Sequence, residues 1–372
     1  MNIGLHLMEP WLIENQFVKY NLGESGIEDK TVSEILELTN TTLDELGACS
    51  FQNNDTYGSL KLRKIIASLY GNVDPEKILV TTGTSEAIFI YFHIRYQPGA
   101  NVIVPFPAFQ TLYEVPKYLG YELRLLSLEQ EEDFRPNLEK IKSLVDDNTK
   151  VIVLNNPHNP TGVLLSENEI ADIISFAEEK GIEVLADEHY RFMPLDGRKG
   201  LIPSIYNHSK TVVAVGSMIK CLACVGLRIG WIIGERELIE ECRNFKDYTT
   251  HTISNLNDLI AQRLLENWET IAKEHQNWVS SNIASFDKLV EKHSNLLGWT
   301  KPQAGIVGFP YLKNNIIGSQ EFAEKLVSQE EVSMLPGEAF ERPGYFRVGF
   351  GIPPERFAEA VERISRFIMR EL

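Results

Sequence analysis

Cysteine is scarce in this chain, with four in 372 residues, at positions 49, 221, 224 and 242. So few thiols in so long a chain exclude the disulfide framework of a small secreted protein. Cys221 and Cys224 form a C-x-x-C pair, but neither a second pair nor a nearby set of histidines completes a zinc site. We therefore expect these cysteines to be small core residues, and we expect no metal centre.

Basic residues are also relatively few, because the chain has 36 lysines and arginines against 52 acidic residues and a net charge of −16. Nucleic acids and anionic membranes bind basic surfaces, so we expect neither as a partner. The chain has no apolar run of membrane-spanning length, and its first residues lack the basic and apolar stretches of a signal peptide. We expect a cytoplasmic protein whose negative field favours capture of a cationic substrate.

Strand and helix patterns alternate between about residues 55 and 240. This alternation favours an α/β domain built on a wound, mostly parallel sheet. Apolar runs bounded by turn residues predict strands at 78–82, 101–104, 122–126, 151–155, 182–186, 211–215 and 228–233. A long helical pattern from about residue 256 is typical of a connector into a smaller domain. We divide the chain into an N-terminal arm over 1–35, a large domain over 36–260 and a small C-terminal α+β domain over 261–372.

The segment GSMIKCLACVGLRIGW places Lys220 eight residues before Arg228. A lysine can hold an aldehyde cofactor covalently as a Schiff base, and an arginine can bind its phosphate. The pair is therefore what an enzyme needs to retain pyridoxal 5′-phosphate (PLP). A lone lysine is more often a solvated surface group, so the pattern gains weight only from the segments around it.

Three other segments, in the right order, supply the rest of such a site. Asp187 and Tyr190 follow the apolar run of IEVLADEHYR, where a carboxylate can pair with a protonated pyridine nitrogen. Asn159, in VIVLNNPHNPTG, and the Tyr190 phenol can both donate to a phenolate oxygen. In KILVTTGTSEAI, residues 83–85 open a helix, and helix N-termini bind anions. Each residue also has an ordinary explanation as a strand cap, a turn former or a turn glycine.

Together these segments resemble the fold type I PLP enzymes, the aspartate aminotransferase superfamily, over nearly the whole chain. The resemblance implies Lys220 as the lysine that carries the cofactor, with Asp187 and Tyr190 as catalytic partners. Phe109, in VPFPAFQTLY, matches the aromatic residue that stacks on the cofactor ring. Ile219 replaces a serine present in many relatives, so one contact to phosphate or lysine is expected to be missing. The remaining cofactor contacts that the resemblance implies are Gly83, Thr84, Ser85, Asn159, Ser217 and Arg228.

The same resemblance implies an amino acid substrate and a homodimer with shared active sites. Tyr57, in DTYGSLKLR, matches the tyrosine that reaches the phosphate of the neighbouring subunit. Arg347, in YFRVGFG, matches the arginine that binds the substrate α-carboxylate. The planar guanidinium suits that role because it forms two parallel charge-assisted hydrogen bonds with a carboxylate.

The N-terminal segment resembles a narrower group of enzymes. Its E-x-W-L frame, followed by S-G-I, is similar to the start of the capreomycidine synthases, and the interior segments LVTTGTSEAIFI and LNNPHNPTG match as well. Capreomycidine synthases and their enduracididine-forming relatives are PLP-dependent cyclases of hydroxylated arginine. The resemblance implies a substrate with a guanidinium group, contacted by Glu9 first among the acidic residues and also by Ser25 and Asn159. A solvated acidic face is the alternative for this segment.

We therefore expect a cyclodehydratase in which Lys220, once free, takes the substrate Cα proton. A side-chain hydroxyl then leaves, and the substrate's own guanidine closes a ring. Loss of a γ-hydroxyl gives the five-membered ring of enduracididine, and loss of a β-hydroxyl gives the six-membered ring of capreomycidine. The asparagine-, isoleucine- and lysine-rich composition differs from that of the alanine- and arginine-rich capreomycidine enzymes and favours the γ-hydroxy substrate. An aminotransferase with a keto-acid acceptor and a catalytically silent PLP-fold sensor are the alternatives, and the complete set of residues around Lys220 disfavours the sensor.

Overall fold

The computed structural model describes residues 3–314 and 316–372 of the chain. Several of its helices begin at a capping box, with Thr31, Thr42 or Ser166 as the first residue. The side chain of that residue accepts a hydrogen bond from the backbone N–H three residues on, and the glutamate side chain at that later position accepts one from the backbone N–H of the first residue. The helices run over α1 (Glu9–Glu14), α2 (Val32–Leu38), α3 (Leu43–Gly47), α4 (Leu60–Ser68), α5 (Thr84–Arg95), α6 (Thr111–Leu119), α7 (Leu138–Leu144), α8 (Glu167–Lys180), α9 (Arg236–Lys246), α10 (Asn255–Glu266), α11 (Trp268–Lys292), α12 (Ser319–Glu330) and α13 (Pro354–Glu371).

The strands are longest in the first two thirds of the chain and short beyond it. They run over β1 (Tyr20–Asn21), β2 (Ile78–Thr81), β3 (Asn101–Phe106), β4 (Glu122–Ser127), β5 (Thr149–Asn155), β6 (Glu183–Asp187), β7 (Val212–Gly216), β8 (Gly230–Ile233), β9 (Leu297–Gly298), β10 (Val307–Gly308), β11 (Tyr311–Leu312), β12 (Val332–Ser333), β13 (Leu335–Pro336) and β14 (Phe346–Gly349).

A seven-stranded sheet forms the centre of the molecule, in the order β2-β8-β7-β6-β5-β3-β4. Its neighbours are parallel, except that β8 runs antiparallel to both β2 and β7. The predicted fold class, with its wound and mostly parallel sheet, is confirmed, and each predicted strand has a counterpart. The strand predicted over 228–233 begins two residues later, because Arg228 has a φ of 53° and ends the preceding turn.

Both faces of this sheet are buried. Along β6, Val184 and Ala186 pack into one apolar core and Leu185 packs into another on the opposite face. Burial on both faces explains why the strands read as continuous apolar runs. Because parallel strands end at the same edge, polar residues such as Asn155 and Asp187, paired in register at the ends of β5 and β6, meet there.

After the long helix α11, the C-terminal part of the chain adds short strands. In a three-stranded sheet, β14 lies between β10 and β13. Strand β1 from the N-terminal segment pairs in parallel with β12, so the predicted arm is joined to the C-terminal part of the chain. The domain boundaries stay a prediction. Within the described ranges, no helix combines the length and the apolar character needed to cross a bilayer.

Candidate active site

Lys220 lies in the turn that follows β7, with its side chain in a cavity at the sheet edge. Its backbone oxygen accepts from the N–H of Ile27 at 2.9 Å, which holds the N-terminal segment against the lysine. A Cβ on Gly26 would lie 3.1 Å from Lys220 Cδ, so the two chains are in close contact. Removal from water lowers the pKa of Lys220, and the positive charges of Arg347 and Arg228 lower it further. The negative charges of Glu24 and Asp29 oppose this shift. The amine is thereby made a better nucleophile and base.

Asp187 ends β6 at the same edge and is almost fully buried. Burial raises the pKa of its carboxyl to about 7, because only the backbone N–H of His189, 3.3 Å away, offsets the loss of water. Asn155 connects the two strand ends, since its amide donates to the Asp187 carbonyl and accepts from the N–H of Asn159. The Oδ1 atom of Asn159 is buried without a partner in the described structure. A buried carboxyl in this state would be stabilised in its ionised form by a cationic ring nitrogen.

Tyr190 is buried beside Asp187, and its hydroxyl donates to the backbone oxygen of Ser25 at 2.7 Å. Sequence analysis predicted that this phenol donates to the cofactor. In the structure its one hydroxyl proton is donated to Ser25 instead, which fastens the N-terminal segment to the site. Ser25 is itself buried and lines the cavity.

An anion site lies at the start of α5. Gly83 caps this helix with a φ of 82° and no side-chain bond, so the first-turn N–H groups at Thr84 and Ser85 face outward. The Arg228 guanidinium lies directly over the glycine, where an added Cβ would be 2.8 Å from its Nη2. In the described chain, Arg228 makes one long hydrogen bond, to the Val225 oxygen, and no ion pair. An unpaired cation beside a helix N-terminus is suited to a phosphate dianion.

Arg347 is 2% exposed and is held by backbone and sulfur rather than by a carboxylate. Its Nη2 donates to the Gly23 oxygen at 2.7 Å, its Nη1 is 3.6 Å from Met8 Sδ, and its Nε has no partner among the residues that the structure describes. Burial lowers its pKa, and the negative charges of Glu24 and Glu9 oppose that shift. A buried guanidinium with an unused donor is suited to bind a substrate carboxylate.

These groups converge on one cavity of about 380 Å³. Gly83 lies beneath Arg228 rather than in the cavity wall. Ser217 does not line it, because its hydroxyl donates to the Ile229 oxygen at 2.6 Å. Tyr57 also lies elsewhere, packed near the guanidinium groups of Arg63 and Arg243. The predicted residues that do line the cavity are Glu9, Ser25, Thr84, Ser85, Phe109, Asn159, Asp187, Tyr190, Lys220, Arg228 and Arg347.

The cavity also contains residues that sequence analysis missed. His189 lies beside Thr84, with its Nδ1 3.4 Å from the threonine hydroxyl, and burial lowers its pKa to about 3. His6 and Glu24 come from the N-terminal segment, and His6 lies 6.1 Å from Phe109 between ring centroids. The adjacency of His189 to Asp187 and Tyr190 was a usable sequence signal, whereas nothing local to His6 indicated its position.

Comparison with known proteins agrees with this geometry. The family model described as aminotransferase class I and II matches residues 19–364. The chain is similar to an aspartate aminotransferase of Streptomyces avermitilis, 27% identical over 80% of this chain and 75% of that protein. It is also similar to capreomycidine synthase of Streptomyces vinaceus, 24% identical over 96% of this chain and 92% of that protein. Among solved structures, a PLP-dependent aminotransferase from Streptococcus suis matches with a TM-score of 0.93 and 29% identity over 100% of this chain and 99% of the other.

Proposed function

Because the chain belongs to the aminotransferase class I and II family and uses PLP, we propose that it is a cyclodehydratase of a hydroxylated L-arginine. The γ-hydroxy form is the favoured substrate and would give the five-membered ring of enduracididine. The β-hydroxy form would give the six-membered ring of capreomycidine. PLP, when bound, supplies a sink for the electrons released as the Cα proton leaves.

The residues at the sheet edge fit this cofactor. Arg228 and the start of α5 would hold its phosphate, and Lys220 would hold it covalently. Asp187, whose buried carboxyl has no cationic partner in the described chain, would pair with the ring nitrogen. Asn159 and Tyr190 would face the ring oxygen, to which the Asn159 amide would donate from Nδ2 and the Tyr190 phenol would donate in place of its bond to the Ser25 oxygen.

Lys220 performs the first proton transfer on the substrate. Its lowered pKa leaves more of the amine uncharged, so once free it can take the Cα proton. Arg347 orients the substrate for that transfer by binding the α-carboxylate through its partnerless Nε and its Nη atoms. The Gly23 and Ile27 backbone contacts fix the two residues relative to one another, because both belong to the same N-terminal segment.

The observation that carries the substrate class is the distribution of charge in the cavity. Arg347 is buried in its wall and Lys220 is half-buried, whereas Glu9 and Glu24 of the N-terminal segment are exposed, as is Arg228 at the anion site. A substrate that fits has a carboxylate for Arg347 and a cation at its far end for the two glutamates. Hydroxyarginine meets both requirements, and its guanidinium pairs with carboxylates in a planar fork.

The similarity to capreomycidine synthase supports the same interpretation, because it extends over 96% of this chain and 92% of that protein. Transamination is the second candidate, favoured by the similarity to the two aminotransferases. Transamination requires the same lysine, aspartate and arginine, but it does not require the exposed acidic residues Glu9 and Glu24 in the cavity. Turnover of hydroxyarginine and of the uncharged hydroxycitrulline, compared without a keto acid, tests the proposal. A preference of tenfold or more for the guanidino substrate supports it, and equal turnover contradicts it.

We further propose a homodimer in which Tyr57 serves the partner's active site. In the single chain Tyr57 lies outside the cavity, and Phe51 and Tyr248 are 91% and 90% exposed. Large apolar side chains left this exposed are suited to an interface with a second copy.

A further inference from the structure

The N-terminal residues 3–8 are clamped over the cavity by two buried side chains of the segment that follows Phe109. Gln110, 4% exposed, donates from Nε2 to the Leu5 oxygen at 2.8 Å and accepts from the Leu7 N–H at 2.7 Å. Glu114 accepts from the Gly4 N–H at 2.9 Å. The two bonds of Gln110 bracket a single residue, His6, and therefore fix its backbone. Both hydrogen bonds of this buried amide hold the backbone on either side of His6, which indicates that the position of His6 is important.

The imidazole of His6 lies in the cavity wall together with Glu9, Phe109 and Arg347. Its Nδ1 is buried without a hydrogen-bond partner in the described structure. It lines the same cavity as both groups that would hold the ends of the substrate, and the charges of both act on it. An imidazole close to the residue assigned to the guanidinium is placed to serve the substrate side chain, whereas Lys220 serves the Cα atom.

Besides the Cα proton transfer, and besides the loss and return of a Cβ proton that a γ-hydroxy substrate needs, ring closure requires two proton transfers that transamination does not. The guanidinium must lose a proton before a nitrogen lone pair can attack carbon, and the hydroxyl must gain a proton to leave as water. The first transfer releases one proton and the second consumes one, so a single neutral imidazole can perform both. Burial lowers the pKa of His6, which keeps the imidazole neutral between turnovers.

We propose that His6 is the catalytic residue that moves this proton from the substrate guanidinium to the departing hydroxyl. The proposal rests on the cyclodehydratase function above. His6 accepts a proton from a guanidinium N–H, and the C–O bond then breaks with its electron pair on oxygen, which takes the proton from His6 and leaves as water. The neutral guanidine nitrogen forms the new C–N bond, and the cyclic product regains the guanidinium charge. One water is lost, and no oxidant or reductant is needed.

Other titratable groups of the cavity are placed for different tasks. Lys220 is assigned to the Cα proton, and Asp187 and His189 lie on the sheet side, His189 beside Thr84 at the anion site. Glu9 and Glu24 are suited to pair with the guanidinium and to stabilise the protonated imidazole as it forms.

The test separates ring closure from the Cα proton transfer in the holoenzyme. Hydroxyarginine is incubated in D₂O with the wild type, His6→Gln and the control His208→Gln, whose histidine pairs with Glu167 on another surface. NMR then gives both the rate of Cα–H exchange and the rate of cyclic product. We expect His6→Gln to slow ring closure about a hundredfold or more while Cα exchange stays within about threefold. The control should change neither rate.

Two further variants distinguish catalysis from packing. Added imidazole should restore part of the ring closure in His6→Ala, which a merely structural histidine would not allow. Gln110→Ala should slow ring closure with His6 intact, because the backbone around it is released, and imidazole should not restore it. If His6→Gln closes the ring at the wild-type rate, the role of His6 is overturned but the cyclodehydratase function is not. The same holds if this variant loses Cα exchange and ring closure to an equal extent. If the wild type exchanges the Cα proton but forms no ring, the cyclodehydratase function falls, and this inference falls with it.

Discussion

Arg347 donates from Nη2 to the backbone oxygen of Gly23 over 2.7 Å. The most buried cation of the cavity is thus oriented by the backbone of the N-terminal segment and keeps its Nε for another partner. The segment that carries the acidic residues and the residue that binds the substrate carboxylate are therefore parts of one assembly. Side-chain recognition and α-carboxylate recognition are fixed relative to each other.

Arg347→Lys should impair turnover of every amino acid substrate, with or without a guanidinium. Lysine loses the second parallel hydrogen bond and the fork geometry, so we expect at least a tenfold loss in kcat/KM. PLP binding should be unchanged, since Arg347 is not placed at the cofactor. Steady-state kinetics with hydroxyarginine and hydroxycitrulline measures both effects, and a loss confined to one of the two substrates would contradict the assignment.

Asp187→Asn should change how the stability of the cofactor-free protein depends on pH. Burial raises the pKa of Asp187 from 3.8 to about 7, so the folded protein holds this proton more tightly than the unfolded chain. Its contribution to stability is therefore present below about pH 4 and is lost as pH rises towards 7. The asparagine variant should be more stable than the wild type at pH 8 by on the order of a few kcal/mol, and by clearly less at pH 5. Urea unfolding at both pH values measures this difference, and a constant difference would refute the raised pKa.

Glu9→Gln should lower kcat/KM for hydroxyarginine by about ten- to a hundredfold, because a charge-assisted contact of roughly 1.5–3 kcal/mol is removed. Turnover of hydroxycitrulline should change little, since that substrate has no charge to pair. Glu14→Gln is the matched control, because Glu14 lies at the other end of α1 and does not line the cavity. Equal losses for both substrates, or none, would mean that the acidic segment is a solvated face.

Sedimentation should show a dimer of the 42.3 kDa chain at micromolar concentration. An obligate interface that shares active sites buries on the order of 2,000 Å² or more, which holds the subunits together in this range. Tyr57→Phe should weaken retention of PLP without dissociating the dimer, because it removes only the phenol. A fully active monomer would rule out a shared active site.

Sequence patterns predicted the part of the molecule that depends on local chemistry. The sheet strands were found because burial on both faces makes each a continuous apolar run, and the polar residue Asp187 that follows one of these runs lies at the sheet edge as expected. The strand start predicted at Arg228 was wrong. Arg228 has a left-handed backbone, and nothing in the apolar sequence around it indicates that conformation.

Other features depend on contacts between distant parts of the chain. The Gln110 clamp on Leu5 and Leu7 joins residues more than 100 positions apart, so no local pattern indicated His6. The Ser217 hydroxyl was expected at the phosphate, yet it donates to the Ile229 oxygen. Motif matching identifies a residue but not the orientation of its side chain.

Identification of the product tests cyclodehydration most directly. Purified protein is incubated with β- and γ-hydroxyarginine in turn, without any keto acid, and the products are identified by mass spectrometry and NMR, with Lys220→Ala as the inactive control. We expect a product lighter than the substrate by one water, with a five-membered ring from the γ-hydroxy substrate. Conversion that occurs only with a keto acid, and that yields a 2-oxo acid with the hydroxyl retained, would show that the protein is an aminotransferase.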